Sequence, residues 1–204
     1  MIGSLVYIFT QVINSKDVSN IAEEVTNIIN PTKRILDLEN QLKFADTFQN
    51  RVNLGDAYLE NRDFENAITN YENALDSNFK NDVYTINQLI KAYFYADNVE
   101  KVIEYSEKIK SNPEFKKSQY FYGIALENQH RFEEAEIELQ KIDLNYSNYE
   151  ERVYFAGFLI RRNKKEEAKE VLQRIVIESQ NMTNPNRRKY RDSISKAQQL
   201  LNEI

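Results

Sequence analysis

The chain has no cysteine and a single histidine, His130. Without thiols there can be no disulfide scaffold, thiolate zinc site, iron–sulfur cluster or cysteine nucleophile. One imidazole excludes a multi-histidine metal site, so neither a metal nor a cofactor is expected. Chain-breakers are scarce too: 4 Gly and 3 Pro in 204 residues. A sandwich or barrel needs many turns, and turns need these residues. The expectation is therefore an all-α chain. No GxGxxG or phosphate loop occurs, and a net charge of −5 argues against a generic nucleic-acid binder. His130 lies in a stretch that reads as a turn, without a nucleophile partner, and the many carboxylates sit at helical spacing with Lys and Arg as on solvated faces. Nothing in this supports catalysis, so the chain is not expected to be an enzyme.

What is abundant is aromatic: 13 Tyr and 11 Phe. Residues 1–14 carry no charge, and their apolar run from Leu5 to Ile13 is too short for a bilayer, which takes about 20 residues. Two readings stay open for it: a helix that packs on its neighbours, or the tail of a membrane helix. Val18, Ile21, Ala22, Val25, Ile28 and Ile29 share one helical face, which Pro31 ends. A lead-in helix is expected near 32–47, with Ile35, Leu38, Leu42 and Ala45 on its apolar side. Residues 1–46 are thus read as N-terminal helices.

From residue 48 the chain repeats itself. Gly55, Ile90, Gly123 and Ala156 are spaced 35, 33 and 33 residues apart, and Ala67, Val102, Ala135 and Ala168 keep the same steps. So do Ala74, Ile109, Ile142 and Ile175, with Tyr58, Tyr93, Leu126 and Leu159 as a further column. Each unit reads as two helices joined by a short polar turn such as Glu60-Asn61-Arg62-Asp63. The small residues mark where the two helices cross. Residues 47–204 are read as one domain of four repeats, 48–81, 83–115, 116–148 and 149–181, plus one capping helix over 185–203 that carries Tyr190, Ile194, Ala197, Leu200 and Leu201 on a face. A solenoid needs such a cap because its last repeat otherwise exposes its core face.

These units resemble the tetratricopeptide repeat family, through Leu54, Gly55, Tyr58, Ala67, Tyr71 and Ala74 in the first and Tyr122, Gly123, Leu126, Ala135 and Leu139 in the third. Unit two departs, with Ile90 and Val102 in place of small residues, which leaves its helix packing open. The resemblance implies a right-handed superhelical α-solenoid of helix hairpins with a C-terminal capping helix. It also implies a peptide- or helix-binding concave groove lined by the first helix of each pair. The lysine–asparagine clamp that some members use for a terminal carboxylate is not expected, because Val52 and Asp56 stand at its positions. Carried over residue by residue, the groove implies Tyr84, Asn87, Lys91 and Tyr95 from unit two, Lys117, Tyr120 and Phe121 from unit three, and Tyr154 and Arg161 from unit four as partner-binding residues. Glu150, Val153 and Gly157 share the unit-four face. Among the tyrosines, Tyr84, Tyr120 and Tyr154 are expected to be the more exposed.

The leading expectation is a non-catalytic protein-interaction scaffold with a protein or peptide ligand. A second reading is a membrane-anchored accessory protein with its repeats on the cytoplasmic side. It rests on residues 3–9 and Asn30-Pro31-Thr32, which resemble the end of the amino-terminal membrane hairpin of phospholipase D-type cardiolipin synthases; the HxK signature of that catalysis is absent. Self-association through the apolar amino end is a third. Residues 161–196 hold 11 basic and 5 acidic side chains, so the rest of the chain is −11. The run Arg187-Arg188-Lys189-Arg191 fits either an anionic partner or a solvated helix face.

Overall fold

A computed structural model of the chain describes residues 31–76 and 78–204. The apolar segment 1–14 and the helix expected before Pro31 lie outside the described residues. The chain divides into two compact units, 1–80 and 81–204. The first contains α1 (Pro31–Phe44), α2 (Phe48–Glu60) and α3 (Phe64–Ala74). The second contains α4 (Val83–Tyr95), α5 (Val99–Ile109), a 3-10 helix (Pro113–Lys117), α6 (Gln119–Asn128), α7 (Phe132–Gln140), α8 (Tyr149–Arg161), α9 (Lys165–Gln180), α10 (Asn184–Lys189) and α11 (Arg191–Glu203). No strand occurs among the described residues.

The helices pair as hairpins: α2 with α3, α4 with α5, α6 with α7, α8 with α9. In the second unit α5 then packs on α6 and α7 on α8, the first helix of the next pair in each case, and α9 packs on α11. A small residue at the crossing lets the two backbones approach. At Gly55 an added Cβ would lie 2.6 Å from the ring of Tyr71, and at Gly123 it would lie 2.7 Å from the end of Leu139. Tyr71 and Leu139 are themselves fully buried, so neither can move aside cheaply.

The four turns share one backbone solution. Arg62, Asp97, His130 and Asn163 occupy the same place after their helices, and all are left-handed, with φ of 62°, 58°, 58° and 61°. In the first turn Arg62 N–H donates to Leu59 O and Asp63 N–H to Tyr58 O, at 3.1 and 2.9 Å. The bonds recur as Asp97 to Phe94 and Asn98 to Tyr93, His130 to Glu127 and Arg131 to Leu126, and Asn163 to Ile160 and Lys164 to Leu159. This is the Schellman end, which satisfies carbonyls that a helix terminus leaves orphaned and which usually employs glycine at its left-handed position. Here four side-chain-bearing residues take that role. The next helix is then capped: the Asp63 carboxylate accepts from Asn66 N–H, and Asn98 from Lys101 N–H.

In the first unit, the lead-in helix α1 buries no residue fully; Ile35, Leu38 and Leu42 are half-buried, while Leu36 and Phe44 are exposed. It is tied to α2 by the Tyr58 hydroxyl, which donates to Glu39 Oε1 at 2.6 Å. Burial and then that carboxylate push the Tyr58 phenol up to about 12. The expectation of one capping helix over 185–203 needs correction. The chain bends at Tyr190 between α10 and α11, which brings the Tyr190 ring to 4.8 Å from that of Tyr149. Ile194 and Ala197 of α11 are buried, with Leu200 and Leu201 half-buried. Of the polar stretch 179–184, Ser179 and Gln180 still belong to α9.

A charged cluster sits inside the last hairpin. Arg152 is fully buried on α8 and grips Glu178 of α9 with both terminal nitrogens, at 2.8 and 3.1 Å, while its Nε donates to Asp143 at 2.9 Å. Arg174 also pairs with Asp143, and Tyr146 N–H donates to Glu178 at 2.9 Å. Burial opposes the charged form of Glu178. Arg152, the Tyr146 amide and the Tyr149 hydroxyl outweigh it and hold the carboxyl below its ordinary value.

Candidate functional site

The first helices of the second unit's three hairpins, α4, α6 and α8, carry a continuous strip of aromatic rings. Phe94 and Tyr95 end α4. Phe121 lies 4.8 Å from Phe94 and 6.0 Å from Tyr95, ring centre to ring centre. Tyr120 is 5.7 Å from Phe121, and Tyr154 of α8 stands edge-on to Tyr120 at 5.4 Å. Such offset and edge-to-face contacts suit the aromatic quadrupole and add to simple burial. One step of the register explains the strip: Phe94 meets Phe121, and 33 residues on Glu127 meets Tyr154.

The far end of the strip is charged. The Tyr154 hydroxyl donates to Glu127 Oε2 at 2.7 Å. Arg161 grips the same carboxylate at 2.8–3.0 Å and lies 5.4 Å from the Tyr154 ring. Burial first, and then Glu127, raise the Tyr154 phenol. Tyr120 is raised by burial and then by Glu150 and Glu151, both in the first turn of α8. Both hydroxyls therefore stay neutral across the physiological range.

Of the residues expected to bind a partner, Tyr95, Phe121, Tyr120, Tyr154 and Arg161 come together in this strip. Tyr84 is exposed in the first turn of α4 and Lys91 is half-buried on the same helix. Lys117 ends the 3-10 helix and pairs with Glu114 at 2.9 Å. Asn87 is a correction. It is buried, donates to Val83 O and Glu114 O at 2.9 and 3.3 Å, and accepts from the Ser118 hydroxyl. The 3-10 segment folds against α4 at this point, so Asn87 fastens the hairpins instead of facing a ligand. The expected ranking of the tyrosines also changes: Tyr84 and Tyr95 are exposed, at 45% and 46%, whereas Tyr120 and Tyr154 are half-buried by one another and by their neighbours. In the first unit Val52 is buried and Asp56 accepts the Tyr71 hydroxyl at 2.6 Å. Phe94 and Glu127 were not foreseen. The signal that finds them is the 27-residue step linking Phe94 to Phe121 and Glu127 to Tyr154, which column-by-column alignment does not display.

The basic run at the end is exposed, but part of it is structural. Arg187 donates to Gln180 O at 3.1 Å and Met182 O at 3.5 Å, closing the end of α9, and Lys189 lies 5.0 Å from the Tyr190 ring. Among the described residues no group of His, Asp and Glu is arranged to hold a metal, and no helix is long and apolar enough to cross a membrane.

This architecture is an all-helical repeat of the tetratricopeptide type. The solved structure "MamA MSR-1 C2", a helical-repeat protein of that type, is similar to it with a TM-score of 0.58 at 17% identity, over 93% of this chain and 99% of that one. The chain matches no protein-family model and no curated protein. The resemblance of residues 1–34 to a phospholipase D-type hairpin finds no support in these comparisons.

Proposed function

We propose that the chain is a non-catalytic protein-interaction scaffold that holds a peptide or helix of a partner on the first-helix face of its second unit. The observation that carries this reading is the unbroken strip from Tyr95 and Phe94 through Phe121 and Tyr120 to Tyr154, capped by Arg161. Tyrosine and arginine are the residue types that dominate interface energetics, since they bring large apolar area with a polar tip. A solenoid core needs aromatics between successive hairpins, but it does not need a ring as exposed as Tyr95 to continue them outward. The repeat fold supports the same reading, because stacked hairpins present an extended surface with room for a chain-like ligand.

The test is a double substitution, Tyr120→Ala with Tyr154→Ala, measured against a partner captured with the intact protein and then purified. Loss of two hot-spot residues should weaken binding by roughly 30-fold or more. Unchanged affinity, with helicity retained by circular dichroism, refutes the strip as the binding face.

A further inference from the structure

The Tyr120–Tyr154 corner has carboxylates near it in two places. At one of them the cation is the protein's own: Arg161 lies against the Tyr154 ring and grips Glu127 with two nitrogens. At the other, the Tyr120 ring stands edge-on to Tyr154, and burial and then the charges of Glu150 and Glu151 raise its phenol. Glu150 and Glu151 precede Tyr154 by four and three residues on α8, the spacing that puts side chains on one helix face. Neither carboxylate is in an ion pair among the described residues. A second feature lies one turn further along α8. Gly157 is mid-helix, where glycine is unfavourable relative to alanine. Gly55 and Gly123 are explained by the side chains packed against them. At Gly157 an added Cβ would meet only Arg161 Nη1, at an ordinary 3.4 Å. No packed side chain therefore requires a glycine there.

We propose that the corner formed by Tyr120, Tyr154, Glu150 and Glu151 seats a lysine or arginine side chain of a partner peptide, with the peptide backbone crossing over Gly157. The inference rests on the strip being a peptide-binding face and adds the chemistry of its occupant. An aromatic face and a carboxylate both attract a cation, and together they select for one. An acidic side chain placed there would instead meet two like charges, which is costly at an interface. A missing Cβ is what lets a second backbone approach a helix closely.

The probes are two fluorescein-labelled dodecapeptides with the same Leu, Ala and Gly positions. One carries four Lys and the other four Glu at the remaining sites. Binding to the full chain is read by fluorescence anisotropy, with thermal midpoints recorded for every variant. The Lys peptide is expected to bind about tenfold tighter than the Glu peptide, and Glu150→Gln with Glu151→Gln to remove most of that preference while the chain stays folded at the assay temperature. Gly157→Ala is expected to raise the midpoint, as alanine favours the helix, while weakening the Lys peptide about fivefold or more. A Glu peptide that binds as well as the Lys peptide, or a preference that survives the double Gln change, overturns the cation site. If binding in that case still depends on Tyr120 and Tyr154, the peptide-binding reading stands. If neither peptide shows binding sensitive to those two tyrosines, both readings fall. Undiminished binding by Gly157→Ala overturns the backbone crossing.

Discussion

Replacing the four left-handed turn residues with glycine should stabilise the chain. Arg62, Asp97, His130 and Asn163 each adopt φ near 60° at the Schellman end of a helix. A Cβ in that conformation crowds the following carbonyl, at a cost of about 1–2 kcal/mol for an ordinary residue and less for Asn or Asp. Glycine removes the crowding but enlarges the unfolded ensemble, which returns about 0.4–1 kcal/mol. The net gain is therefore about 0.5–1 kcal/mol for Arg62→Gly and for His130→Gly, smaller for Asp97→Gly, and near zero for Asn163→Gly. All four side chains are exposed, so little packing is lost; His130 has a ring contact with Phe132 at 5.5 Å. The fourfold variant should gain about 2 kcal/mol, which for a chain of this size moves the thermal midpoint by about 4–8 °C. Urea unfolding followed by circular dichroism gives each value, provided the slope with denaturant is unchanged. The order among the four sites is the sharper check, because it separates strain from any general effect of glycine. If Arg62→Gly or His130→Gly lowers the midpoint, or Asn163→Gly gains as much as they do, the strain argument is wrong.

Four further substitutions probe the interior. Arg152→Met should cost about 3–5 kcal/mol in urea unfolding, because it strands the buried Glu178 without its cation. Adding Glu178→Met should recover part of this, leaving about 1–3 kcal/mol for the orphaned Tyr146 amide. Glu178 also sets an acid limb. Its carboxyl is held below the ordinary 4.5 in the fold, so its stabilisation is complete at neutral pH and is lost as pH falls below about that value; Glu178→Gln should flatten this part of the stability profile. Gly55→Ala should destabilise by about 1–2 kcal/mol in the same assay, since overpacking against the buried Tyr71 ring exceeds the gain in helix propensity.

The repeat was legible because its columns record a geometric demand. Two helices that cross closely need a small residue at the crossing, and the hairpins recur at 33–35 residues, so Gly55, Gly123 and Ala156 announce themselves. The candidate strip was partly legible for the same reason, since Tyr120, Tyr154 and Arg161 recur at groove positions. What a column does not show is which neighbour fills the space around it. Asn87 stands in a groove column, yet the 3-10 segment beginning at Pro113 folds over it, and a buried polar anchor has the same sequence appearance as an exposed one.

Unit two makes the point most clearly. Its Ile90 breaks the small-residue column, which leaves the packing of α4 on α5 unexplained when that column is considered alone. The partner column resolves it. Opposite the small residue stand Tyr71, Leu139 and Leu172 in units one, three and four, whereas unit two has Ser106. Ile90 and Ser106 are both fully buried. The large and small members have changed sides of the crossing, so the summed volume is conserved, which is the condition a close-packed interior imposes. The exchange leaves a trace: the Ser106 hydroxyl is buried without a hydrogen-bond partner. A serine there is tolerated for its size, and its unsatisfied oxygen is the cost of keeping the helix spacing of its neighbours with the residues reversed.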